Sequence, residues 1–143
     1  MQQHTRAGAT ILEITAALTV LAIVMGAVLP PLRTLRDRAS VRSATVDVVA
    51  ALTLARHTAI AEGRAVATRF DTAAAQVVVA AGRDTLAVRP LRRMHGVSLD
   101  ANRDSIAYNP IGLGYGAANV RITLTRGAAQ DTIFLSRLGR VRH

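Results

Sequence analysis

One carboxylate, Glu13, sits near the start of an apolar run that extends from Gly8 to Leu32 and carries no further charge before Arg33. Inserting a carboxylate in a bilayer costs about 2.5–3.5 kcal/mol on insertion scales, so a chain that keeps one there has a use for it. The chemistry open to Glu13 is charge pairing, in oil, with a cation brought by another group. A second set of candidate residues is basic. Arg137, Arg140 and Arg142 close the chain around Gly139, and Arg89, Arg92 and Arg93 crowd a short segment in mid-chain. Arginine grips phosphate through two parallel donors. Binding of that kind ignores base sequence and weakens steeply with salt. The competing reading of the tail is a turn at Gly139 with solvated arginines guarding a last strand.

No catalytic arrangement accompanies these residues. His4, His57, His95 and His143 are scattered, without the spacing of a metal-ligand cluster. Ser40, Ser43, Ser98, Ser105 and Ser136 fall in no nucleophile motif, and Asp100 and Asp104 read as turn residues. Cysteine is absent, which excludes disulfides, thiolate metal sites and cysteine nucleophiles. The segment Pro110-Ile-Gly-Leu-Gly-Tyr-Gly116 lacks both the Gly-Lys-Ser/Thr ending of a phosphate loop and the full dinucleotide spacing, and reads as a flexible connection. The expectation is a non-enzyme with no cofactor and no metal. The net charge of +9, all its basic side chains being arginine, still draws polyanions or acidic partners. Four aromatic residues are too few to stack many bases.

The elements that position these residues follow from the pattern. The 19 residues from Ile14 to Leu32 are long enough to span a bilayer as one helix. The small residues Ala7, Gly8 and Ala9 precede the apolar run, whereas a removed secretory signal carries them after it. A short leader before a retained anchor fits that order. Arg33, Arg36 and Arg38 beyond the span oppose export of that end, with Arg6 on the other side, but long C-terminal domains translocate largely regardless of charge. Gly26, Pro30 and Pro31 predict a kink or interruption. Beyond them Val41, Thr45, Val48, Leu52, Ala55 and Ala59 form a stripe at helical spacing, with Arg42 and Arg56 turned toward water. Glu62-Gly63 reads as the helix stop. A helix from Thr10 to Glu62 would measure about 80 Å, more than a single core can cover. After Gly63 short Val-, Ile- and Thr-rich runs predict strands over 65–70, 76–81, 85–88, 105–108, 120–125 and 132–135, with a hairpin turn at Ala81-Gly82-Arg83-Asp84. Arg89 to Met94 reads as an exposed loop.

Gly8-Ala9-Thr10-Ile11-Leu12-Glu13-Ile14 resembles the processing motif of type IV pilins and type II secretion pseudopilins, with Ala9 in place of the usual Phe. Further on, Leu54-Ala-Arg-His-Thr-Ala-Ile-Ala-Glu-Gly-Arg64, Ile106-Ala-Tyr-Asn-Pro-Ile-Gly112 and Leu135-Ser-Arg-Leu-Gly-Arg-Val-Arg142 resemble the GspH/FimT group of that family. The resemblance implies an α+β, pilin-like fold: a long N-terminal helix, transmembrane in its first half, packed on a C-terminal antiparallel β domain. It divides the chain into a leader (1–8), an assembly segment (9–32), an amphipathic helix (33–63) and a β-rich domain (64–143). It implies cleavage by prepilin peptidase between Gly8 and Ala9, methylation of the new terminus, and Glu13 as the assembly residue that meets the α-ammonium of a neighbouring subunit. The implied partners are other pilin or pseudopilin subunits, the peptidase and the bacterial inner membrane, with the C-terminal domain in the periplasm before it joins a pilus or pseudopilus. On the FimT side of the group a Gly-Arg-x-Arg tail is implicated in DNA uptake. That implies duplex DNA as an alternative partner for Arg137, Arg140 and Arg142, with Arg89, Arg92 and Arg93.

Overall fold

The computed structural model describes residues 10–115, 120–136 and 140–142, with residues 27–31 described in backbone only. Two compact units result, Met1–Leu35 and Arg36–His143. One helix, α1 (Ile11–Glu62), begins in the first unit and ends in the second.

Thr10 starts α1. Its Oγ1 accepts the backbone N–H of Glu13 at 3.2 Å, and Thr-x-x-Glu is the spacing of a capping box. Apolar side chains from Ile11 to Met25 are exposed all along the first unit. Of the kink or interruption expected at Gly26, Pro30 and Pro31, an interruption does not occur: helical structure is continuous from Ile11 to Glu62. A proline removes one donor and crowds the preceding turn, but the bonds of the flanking turns can carry the helix through.

In the second unit the predicted stripe holds: Val41, Thr45, Val48, Leu52, Ala55 and Ala59 are all buried, joined by Ala44 and Ala51. The helix stops where expected, with Gly63 at φ +61°, the left-handed conformation that costs glycine nothing.

Two antiparallel sheets complete this unit. The first joins β1 (Val66–Asp71), β2 (Gln76–Ala81), β3 (Asp84–Pro90), β5 (Ser105–Tyr108) and β6 (Gly114–Tyr115) in the order β3-β2-β1-β5-β6. The second joins β4 (Ser98–Ala101), β7 (Val120–Arg126), β8 (Ala129–Leu135) and β9 (Val141–Arg142) in the order β4-β7-β8-β9. Alternation sets the inward faces: Val66, Thr68 and Phe70 on β1, Val77, Val79 and Ala81 on β2, and Val120, Ile122 and Leu124 on β7 are buried. Both sheets share one apolar core with α1.

The six predicted strands are present with ends shifted by up to three residues; β4, β6 and β9 are additional. The segment expected as an exposed loop, Arg89 to Met94, is ordered instead. Arg89 and Pro90 end β3, and Leu91–His95 form a short helix, α2, with Leu91 fully buried. Gly96 closes α2 in the left-handed conformation, its N–H donating to Arg92 O. The segment expected as a flexible connection is also built. Asn109 Oδ1 accepts from the N–H groups of Ile111 and Leu113 at 3.2 and 2.8 Å, and Gly112 N–H donates to Asn109 O. Gly112 itself, at φ +77°, is buried against α1: a Cβ there would lie 2.7 Å from Ile60 Cδ1. The start of β6 at Gly114 pairs with Tyr108, so the turn returns the chain to the sheet.

Candidate functional site

Glu13 is exposed on α1 within an apolar surface that runs from Ile11 to Met25. The other polar side chains of this stretch are satisfied locally. Thr15 Oγ1 donates to Leu12 O at 2.9 Å, Thr19 Oγ1 to Thr15 O at 2.8 Å, and Thr10 is engaged as the cap. Among the described residues of this stretch the Glu13 carboxylate is therefore the one polar side-chain group left to seek a partner outside the helix. Among the described residues Leu32–Glu62 passes as a candidate membrane span on length and composition, but its apolar stripe is already buried in the β domain's core. Ile11–Gly26 is a shorter apolar helix without that duty. Gly8 and Ala9 lie outside the described residues.

In the second unit polar contacts hold α1 to β7, α2 and β8. Arg126, at the end of β7, bonds Asp37 Oδ1 through Nε at 2.9 Å and Ser40 Oγ through Nη1 at 2.9 Å, and also donates to His95 O. His95 Nε2 lies 2.6 Å from Asp47 Oδ2. Thr45 Oγ1 donates to Asp131 Oδ2 at 2.7 Å. The β7–β8 hairpin needs glycine at its tip twice over. Gly127 has φ +55°, and a Cβ would meet Asp37 Oδ2 at 2.5 Å. These pairings escaped the sequence reading, although Asp37 lies four before Val41 on the apolar stripe. An acid in that row signals a cation partner from another element.

Arg56, expected to face water, is half-buried, and its Nε is buried with no hydrogen-bond partner. It lies under the Asn109–Leu113 turn, 3.2 Å from where a Gly112 Cβ would sit. Burial pushes the Tyr108 phenol up to about 12, and the nearby Arg56 charge partly opposes that shift. An unfolded phenol ionises near ~10, so the fold's advantage is intact below that pH and is lost as pH climbs toward the folded value. Denaturant unfolding at rising alkaline pH is expected to show this loss, and Tyr108→Phe is expected to flatten it over the same window.

Among the described residues the basic candidates lie on different elements. Arg140 and Arg142 are exposed at the β9 edge of the second sheet, and Arg137 lies outside the described residues. Arg92 and Arg93 are exposed on α2, which leads into β4 at the opposite edge, and Arg89 is half-buried at the end of β3. Three strand spacings, about 14 Å, separate the two edges.

This arrangement of a capped apolar helix, an amphipathic second half and two small antiparallel sheets has known counterparts. The profile of the family described as type II transport protein GspH matches residues 44–139, from the buried face of α1 through β8. The chain belongs to the GspH family. The crystal structure of the type IV minor pilin FimU of Pseudomonas aeruginosa (strain PAO1) matches with a TM-score of 0.63 at 14% identity, covering 73% of this chain and 88% of FimU. The minor pseudopilin EpsH of the type 2 secretion system of Vibrio cholerae matches with a TM-score of 0.57 at 14% identity, over 72% of this chain and 94% of EpsH. At these identities the likeness is one of fold. No curated protein sequence matches the chain. Family and fold are those of structural pilin subunits, and this GspH-family chain carries the pilin architecture of a long N-terminal helix packed on antiparallel sheet.

Proposed function

We propose that this GspH-family chain is a minor subunit of a type II secretion pseudopilus or type IV pilus. Prepilin peptidase cuts it between Gly8 and Ala9. The segment 9–32 holds it in the inner membrane, with the β domain in the periplasm, until it packs among related subunits. The observation that carries this reading is the exposed apolar surface of Ile11 to Met25 with Glu13 as its sole charge. Such a surface needs bilayer or neighbouring helices to cover it. In either setting the carboxylate needs a cation, and cleavage supplies one as the α-ammonium of Ala9 on an adjacent subunit. Paired, the two charges are neutralised; unpaired, each opposes burial. The test is the sheared-filament fraction of cells expressing the tagged chain with its secretion or pilus machinery. The reading expects the chain in that fraction, and its confinement to membranes would overturn it.

A second reading, a receptor for duplex DNA, is supported by Arg140, just before β9, and Arg142, on β9, which are both exposed. A gel shift of duplex DNA at low salt is expected to weaken with added salt and to fall when Arg140 and Arg142 become alanine. Failure to retain DNA at low salt removes this reading and leaves the first intact.

A further inference from the structure

A groove of about 540 Å³ opens in the Arg36–His143 unit between α1 and the start of β8. Arg38, Arg42 and Val46 line it from the helix; Ala129, Gln130 and Asp131 line it from the strand. The strand side is an open sheet edge. β8 pairs with β7 from end to end, but β9 covers its other side at Phe134 and Leu135 alone. The two-residue hairpin makes Arg126 and Ala129 a pair, so alternation turns the backbone groups of Gln130 and Thr132 outward. Asp131 Oδ1 accepts the Thr132 N–H at 2.9 Å. The N–H and C=O of Gln130 and the C=O of Thr132 are left without a neighbouring strand among the described residues.

The helix side is charged and unneutralised. Arg38 and Arg42 are exposed one helical turn apart, a like-charge spacing that disfavours a helix unless an anion answers it. The acids nearby are engaged elsewhere. Asp37 pairs with Arg126, and the oxygens of Asp131 accept from Thr45 and Thr132. No ion pair reaches Arg38 or Arg42 among the described residues. Val46, 60% exposed, adds an apolar lip.

We propose that this groove is a docking site for an acidic, extended segment of a different protein chain. The segment adds to β8 at Gln130 as a further strand and sets its carboxylates against Arg38 and Arg42, the mode of recognition by strand addition. A second copy of this chain is a poor occupant, since it brings 18 arginines against 9 acids. Duplex DNA could meet the arginines but has no way to pair with the strand edge.

The test is fluorescence anisotropy on the full chain in detergent micelles with a labelled Asp-Val-Glu-Val-Asp peptide. Two control peptides are the same sequence N-methylated along its backbone and the charge-reversed Arg-Val-Arg-Val-Arg. The acidic peptide is expected to bind at least about tenfold more tightly than either control. The paired change Arg38→Glu and Arg42→Glu is expected to remove that preference, and so is Val46→Glu, while Arg92→Glu with Arg93→Glu leaves it unchanged. All five positions are exposed, so circular dichroism should report an intact fold. Absence of peptide binding, equal binding of the N-methylated peptide, or equal sensitivity to the α2 pair each overturns the proposal. So does displacement by duplex DNA that depends on the same groove arginines, which would make this a general polyanion surface.

Discussion

Replacing Glu13 with alanine is expected to empty the filament fraction of this protein while leaving the protein folded and in the membrane. Removing one member of a desolvated charge pair costs about 3–5 kcal/mol, because the other charge is left behind in oil. Even about 3 kcal/mol lowers an association constant more than a hundredfold. The expected loss is therefore near-complete, not a partial reduction. The structure separates charge from cap in this variant. The hydrogen bond that starts α1 runs from the backbone N–H of Glu13 to Thr10 Oγ1, and an alanine keeps that N–H. Glu13→Gln removes the charge but keeps a hydrogen-bonding side chain of the same length, and is expected to fail as alanine does. Immunoblots of sheared and membrane fractions read both. Incorporation equal to wild type in the glutamine variant would show that the side chain acts without its charge.

The second large effect concerns stability. Leu52→Ala is expected to destabilise the β domain by about 2–5 kcal/mol, the range for deleting a buried leucine and leaving a cavity. Leu52 is 1% exposed and lies where α1 supplies one wall of the core shared with both sheets. Domains of this size hold only about 5–15 kcal/mol in total, so the variant should approach the threshold of folding. Leu54, two residues on, points off the stripe and is 38% exposed; its alanine variant is expected to cost under about 1 kcal/mol. Denaturant unfolding of the two variants side by side checks the contrast. Equal losses would mean that the stripe, and with it the packing of α1 on the sheets, is misassigned.

What the sequence revealed, and what it hid, divides by the range of the physics. Helical spacing marked the buried row from Val41 to Ala59 because amphipathic periodicity is local to one element. Gly63 and Gly82 announced a helix end and a hairpin because both positions need a positive φ, at +61° and +63°. The same reasoning applied to Gly127 would have found the β7–β8 hairpin and the full length of β8. The short helix α2 was hidden by its arginines. Three basic residues in six suggested a loop, whereas one residue, Leu91, anchors the segment in the core and Gly96 terminates it. The Asn109–Leu113 turn was hidden by its glycines, which suggested freedom where the Asn109 side chain imposes order. The contacts of Arg126 with Asp37, Ser40 and His95, and of Asp47 with His95, join residues 31–89 positions apart. Spacing along the chain carries no record of such pairs. Among the candidate site residues, Glu13 stood out in the sequence because a charge in an apolar run is anomalous on its own terms. The separation of the arginines onto two sheet edges required the strand order.

The proposed function requires the chain to be a precursor that exposes a new amine beside its apolar helix. Intact-mass measurement of the protein extracted from membranes of cells with and without prepilin peptidase tests this most directly. Loss of residues 1–8 in the first and retention in the second is the predicted result; an uncut chain in both, or cleavage beyond the apolar run, would contradict it.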